Sequence, residues 1–264
     1  MSTVLNATPS KRQKISKGQR DRMISIASPI LLLLLWQGAA QTGLIDVRFF
    51  PAPAHIFSTF IALAKDGSLW DNTSATLLRL LWGGLIGGIP ALLLGVVTGL
   101  SKPLRAVLEP LIAATYPIPK SAIFPLLMLI CGLGEASKIA MVAIGVFYPM
   151  LINTTTGVLA INRIYLDVGR NFGANPWQVF RTIALPGAVP HIMSGIKLGF
   201  GLGLMLIAIA EMIGSKSGLG YMIWNAWELL SVEQMYVGLI VIAILGYGIS
   251  LLLNEIERKL IPWK

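Results

Sequence analysis

Charge is scarce in this sequence. Only 12% of its 264 residues are Asp, Glu, Lys or Arg, against roughly 25% in soluble domains. Hydrophobic residues make up 55%, and the mean hydropathy is +0.74. Most of the chain therefore has no water to face, which excludes an ordinary soluble enzyme. Cysteine is almost absent: Cys131 stands alone in an apolar run, so no internal disulfide can form. Histidine is scarce as well. His55 and His191 lie far apart with no His-Glu-x-x-His pattern, and no metal site is expected. The phosphate-cradling Gly-x-x-x-x-Gly-Lys-Ser/Thr loop is missing, since Gly214-Ser215-Lys216-Ser217 lacks its spacing. No cofactor is expected on this chain, and any nucleotide-driven work must be powered elsewhere.

What the sequence has instead is long apolar runs. A bilayer-crossing helix needs about 20 mostly apolar residues, and six runs qualify, at 23–40, 75–100, 111–133, 139–160, 192–214 and 237–253. Pro117, Pro119, Lys120 and Pro125 interrupt the third; proline in a span is tolerated where neighbours re-satisfy the freed carbonyls. The expected fold is all-α and polytopic, with six transmembrane helices in a single transmembrane domain at 23–264. Residues 1–22 read as a basic, disordered tail. That tail, the apolar core behind it and Gly38-Ala39-Ala40 imitate a signal peptide. An uncleaved first helix is the reading adopted, because cleavage leaves an odd number of spans.

The net charge of +9 is not a nucleic-acid signal once positions are considered. Fifteen of the 21 Lys and Arg residues fall near proposed inner ends, and only Arg48, Lys65, Lys138 and Lys216 in outer segments. This asymmetry predicts both termini in the cytoplasm, with lipid as the surrounding partner. In the first outer segment, Ile56, Phe57, Phe60, Ile61 and Ala64 share one helical face between Pro53 and Asp66-Gly67. A helix on the membrane surface and ordinary packing against the bundle remain equal alternatives. Glycines recur four apart at Gly83/Gly87, Gly84/Gly88, Gly95/Gly99 and Gly195/Gly199/Gly203, which predicts close helix packing.

The polar insert at about 161–190 is the most informative stretch. A short helix over 165–172 is stopped by Gly173, and Asn175-Pro176-Trp177-Gln178 reads as a capping box with proline in the first turn. A second short helix presents Trp177, Phe180 and Ala184 on one face, with Arg181 beside it, and Leu185-Pro186 is expected to end it. Aromatic residues left in water there need a partner.

These residues resemble the permease subunits of bacterial ATP-binding-cassette importers, specifically the nitrate, sulfonate, taurine and bicarbonate branch. The family signature is Glu-Ala-Ala, then Gly, an apolar residue and Leu-Pro. Here Asp167 stands at the Glu, Val168-Gly169 at Ala-Ala, Gly173 at the Gly, and Ile183 with Leu185-Pro186 at the end. Pro117-Ile118-Pro119, Gly132-Leu133-Gly134-Glu135, Ala210-Glu211 and Ser217-Gly218-Leu219-Gly220 extend the similarity over about 51–263. The resemblance implies a homodimeric channel, two cytoplasmic ATPase subunits carrying ATP and magnesium, and an extracytoplasmic solute-binding protein. It makes 161–190 the coupling insert, with Asp167, Gly169, Gly173, Trp177, Phe180, Arg181, Leu185 and Pro186 at the ATPase contact. The chain itself is then no enzyme but the route for a small solute, an anion such as a sulfonate, taurine or nitrate.

Charged residues within apolar runs are functional candidates by default. Arg79, Lys120, Glu135, Lys138 and Glu211 are the candidates for the translocation pathway. For Glu211 a turn cap or a pair with Lys216 is an equal alternative, and interfacial pairing or snorkelling competes for the others. An ion-coupled secondary transporter or channel using Glu211 and Lys138, without an ATPase, is the competing reading of the whole chain.

Overall fold

The computed structural model describes residues 17–262, so most of the expected tail at 1–22 lies outside the described residues. The described residues are helical and contain no strand. Eleven helices run in order: α1 (Lys17–Gln41), α2 (Pro53–Lys65), α3 (Ser68–Leu100), α4 (Lys102–Thr115), α5 (Lys120–Cys131), α6 (Glu135–Leu159), α7 (Arg163–Asn171), α8 (Pro176–Val179), α9 (Leu185–Gly214), α10 (Leu219–Glu228) and α11 (Val232–Leu260). Two compact units divide the chain, one up to Ile56 and one from Phe57 onward. In the first, α1 is followed by a turn in which Arg48 and Asp46 form a bidentate ion pair at 2.7–3.2 Å. The Arg48 guanidinium holds the Asp46 carboxyl below the usual carboxylate range.

The second unit is organised around α6, which lies between α3 and α9 and contacts both along its length. The core is built from Leu80 on α3, Met141, Val142, Val146 and Leu151 on α6, Leu204 and Ile207 on α9, and Phe124 on α5. Glycine makes these seams possible. A Cβ on Gly87 would collide with the Ala143 carbonyl, and one on Gly95 would lie 2.7 Å from Thr154 Cβ. Gly195 and Gly199 of α9 face Asn153 and Val146 of α6 in the same way. Backbones approach because no side chain separates them, which suits a lipid setting where burial of apolar surface gives no drive for association. The opposite face of α3, from Leu78 through Trp82, Ile86 and Leu93, is exposed and apolar.

Four described helices are long and apolar enough to cross a membrane: 68–100, 135–159, 176–214 and 232–260. The remaining two of the six predicted runs take other forms. The third is the pair α4 and α5, bent by 98°, and counts as a fifth span only if the pair is taken together; the described apolar part of the first, Ala27–Gln41, is shorter than a full span. The bend falls at Tyr116-Pro117-Ile118-Pro119, where two prolines deny the ladder two donors within three residues.

The predicted end of the second short helix at Leu185-Pro186 is not observed. Instead α8 widens into a π-helical turn, Phe180–Ala184, and continues into α9, so that 176–214 is one helix. The Leu185 N–H bonds to the Phe180 carbonyl, five residues back. The wider turn accommodates Pro186, whose ring would otherwise clash with a carbonyl of a regular α-helix.

Candidate functional site

The insert at 161–190 is built by two local devices. Gly173, with φ of +73°, ends the first helix in a left-handed conformation that glycine adopts freely. Two residues later the predicted capping box forms: Asn175 Oδ1 accepts from the Gln178 N–H at 2.9 Å, and Gln178 Oε1 accepts from the Asn175 N–H at 2.8 Å. Gly169 is buried against Ile183, so α7 folds back onto the start of the long helix. Trp177 stacks on Phe180 with ring centroids 5.1 Å apart, yet remains 64% exposed. Asp167 on α7 and Arg181, next to Phe180 in sequence, are exposed, and Leu185 and Pro186 are half-buried at the root of α9. A cavity of about 530 Å³ opens between the two arms, lined by Tyr165, Val168, Ile183 and Pro186 among others. Phe172 is the most exposed large apolar side chain here, at 88%, and sequence reasoning passed over it. Its position just before the helix-stopping Gly173 was the available signal.

Four of the five charged pathway candidates meet in one cluster joining α3, α6 and α9. Arg79 Nε and Nη2 donate to the two oxygens of Glu135 at 2.6 and 2.7 Å. Its Nη1 donates to Glu211 Oε1 at 2.7 Å and to the Ser217 carbonyl at 2.7 Å, and Nη2 also reaches Ser217 Oγ at 2.9 Å. A guanidinium has five N–H donors, and all five are used. Glu211, fully buried, further accepts from Thr76 Oγ1 at 2.9 Å and from the Gly220 N–H at 3.0 Å. Lys138 lies 3.9 Å from Glu135 and donates to the carbonyls of Leu133 and Gly134. Two cations and two carboxylates make the cluster neutral. Gly218, with φ of +111°, is where the loop presses on the Glu211 carboxylate, and any Cβ there would strike it.

The pairing of Glu211 with Lys216, weighed from sequence, gives way to pairing with Arg79, which reaches in from a helix 132 residues away. Thr76, Ser217 and Asn72 belong to the same network, Asn72 accepting from the Gly218 N–H at 2.8 Å, and were missed. Thr76 precedes Arg79 by one helical turn, which was a readable cue.

Lys120 is not in this cluster. Its Nζ donates to the Thr115 and Tyr116 carbonyls at 2.8 and 3.1 Å and sits 4.1 Å from the Tyr148 ring centroid. It lines a separate cavity of about 300 Å³ beside the middle of α6. No group of three or more potential metal ligands occurs among the described residues.

A family model described as binding-protein-dependent transport system inner membrane component matches residues 91–263. The chain belongs to this family. Relatives agree over nearly its full length. The taurine transport system permease protein TauC of Escherichia coli (strain K12) is 32% identical over 92% of this chain and 90% of its own. SsuC of Bacillus subtilis (strain 168), assigned as an aliphatic sulfonates transport permease protein, is 30% identical over 96% and 92%. A chain of the MetNI methionine ABC transporter, solved in inward facing conformations, superposes with a TM-score of 0.62 over 72% of this chain and 94% of that one, at 21% identity. Family and helices together make this a multi-pass inner-membrane transport permease of the ABC type. The family match takes in the 161–190 insert, Lys120, Glu135, Lys138 and Glu211, while Arg79 and Thr76 lie ahead of it.

Proposed function

We propose that this chain is the channel-forming subunit of an ATP-driven importer that moves a small anion, such as taurine or another sulfonate or nitrate, into the cytoplasm. A homodimer of the chain forms the pathway, two ATP-binding-cassette subunits dock on the 161–190 inserts, and an extracytoplasmic binding protein delivers the solute. Both termini and the insert face the cytoplasm. The observation that carries the reading is the insert itself. Gly169 and Gly173 shape its first arm, which carries the exposed Asp167, and the exposed Trp177, stacked on the half-buried Phe180 with Arg181 beside it, stands at the start of a helix that runs on through Leu185 and Pro186. Stacked aromatics held in water are costly unless a partner covers them. Coupling then requires only that the ATPase bind ATP with different affinity in the two channel states. The relatives' names support a sulfonate as the solute.

The competing reading, a self-sufficient ion-coupled transporter, needs Glu211 or Lys138 free to change partner. The saturated pairing of Glu211 argues against it. The deciding experiment reconstitutes the full permease with and without its ATPase in proteoliposomes. Uptake of a radiolabelled sulfonate is expected only with both subunits and ATP, and Trp177→Ala is expected to weaken ATPase co-purification by about tenfold or more. Uptake on an ion gradient without the ATPase would sink the proposal.

A further inference from the structure

We infer that the cavity at the α4–α5 bend is a resting site for a small organic anion inside the membrane, with the Lys120 ammonium as its charge partner. The inference rests on the importer reading above and adds where the solute pauses. The bend breaks the helix beside Gly145, Tyr148 and Pro149, near the centre of the 25-residue α6. Irregular backbone at membrane depth is tolerated where it is buried in protein or lines a water-filled cavity, and here it lines one. Lys120 enters that cavity with no carboxylate within ion-pair distance among the described residues. Its partners are two neutral carbonyls and the faces of Tyr148 and Tyr116, at 4.1 and 6.0 Å. Those contacts orient the ammonium and leave its charge uncancelled.

Lys120 is half-buried against an apolar wall within a membrane-spanning run, and a cation so placed without a counter-charge is expensive and is retained where it meets a charge of opposite sign. The remaining wall suits an organic anion. The Ser121 hydroxyl can donate to an oxyanion, while Leu202, Met205 and Ile209 offer apolar surface to a short alkyl chain. A volume of about 300 Å³ is at the small end of ligand pockets, roughly 300–1,000 Å³, and fits a solute of few heavy atoms. Arg79 offers no such site, because Glu135 and Glu211 already cancel its charge.

The test uses the purified permease–ATPase complex in phosphatidylcholine nanodiscs, with ethanesulfonate as probe. Acetylation of Lys120, followed residue by residue by mass spectrometry, is expected to slow by about tenfold at saturating probe, with Lys102 unaffected and choline without effect. In proteoliposomes, Lys120→Met is expected to lower ethanesulfonate uptake by about tenfold or more while Lys120→Arg retains most of it, both variants co-purifying normally with the ATPase. Equal acetylation with and without probe overturns the inference, as does wild-type uptake by Lys120→Met, and in either case the importer reading stands. Protection that arises from phosphatidylglycerol alone assigns the site to a lipid headgroup and overturns it too. Protection by ethanesulfonate together with uptake that needs no ATP keeps the site and removes the importer reading.

Discussion

Arg79 and Lys120 are both cations within apolar helices of the same bundle, and they are treated in opposite ways. Arg79 is met by two carboxylates, a hydroxyl and a carbonyl, so every N–H is used. Lys120 is met by carbonyls and aromatic faces that carry no net charge. The difference teaches that charge in a membrane-spanning region does not by itself mark a pathway. What matters is whether the charge is cancelled by the protein. A cancelled charge fastens helices together; one left over is available to something that is not part of the chain.

The contrast is broken most directly at Arg79. Arg79→Met leaves the Glu211 carboxylate buried without its cation, and a cost of about 3–5 kcal/mol is expected, read as a loss of resistance to denaturant in detergent. If the cluster is a fastening, the double change Arg79→Met with Glu211→Leu recovers most of that loss, since buried pairs replaced by apolar residues are often close to neutral; recovery of stability without recovery of transport would show that the cluster also serves the moving solute. Arg79→Lys keeps the charge but has three donors for five acceptor contacts, and a loss of about 1.5–3 kcal/mol is expected. Glu135→Gln removes the partner whose side chain is 61% exposed, so water offsets most of the change and less than about 1 kcal/mol is expected. Lys120→Met comes last on this scale. Its unfolding is expected to shift by no more than about 0.5 kcal/mol, and a larger shift would mean that Lys120 is a structural cation like Arg79.

The same contrast explains what could be read from the sequence. Four of the six apolar runs, the glycine spacing and the Asn175–Gln178 capping box depend on neighbours within a few residues, and they appear where local rules place them. So does the stop at Gly173. The partners of Glu211 were not legible, because Arg79 is brought from α3 by packing of three helices along the Gly87 and Gly195 seams. Lys216, five residues from Glu211, was the local guess, and the tertiary fold supplied a better donor. Two further features were obscured for a different reason. The prolines at 117 and 119 pointed to an interruption, but composition cannot say that a chain turns by 98° there. At Pro186 the local rule pointed the wrong way, because a π-turn spreads the proline's missing donor over one extra residue and the helix runs on.

That run-on helix links the two ends of the molecule's working parts. Residues 176–214 form one rod, which at 1.5 Å per residue is roughly 58 Å long. Trp177 lies at its foot and Glu211 in its last turn. The insert and the Arg79 fastening therefore share one helix, and the π-turn at Phe180–Ala184 together with Pro190 are the places along it where a bend would be taken up.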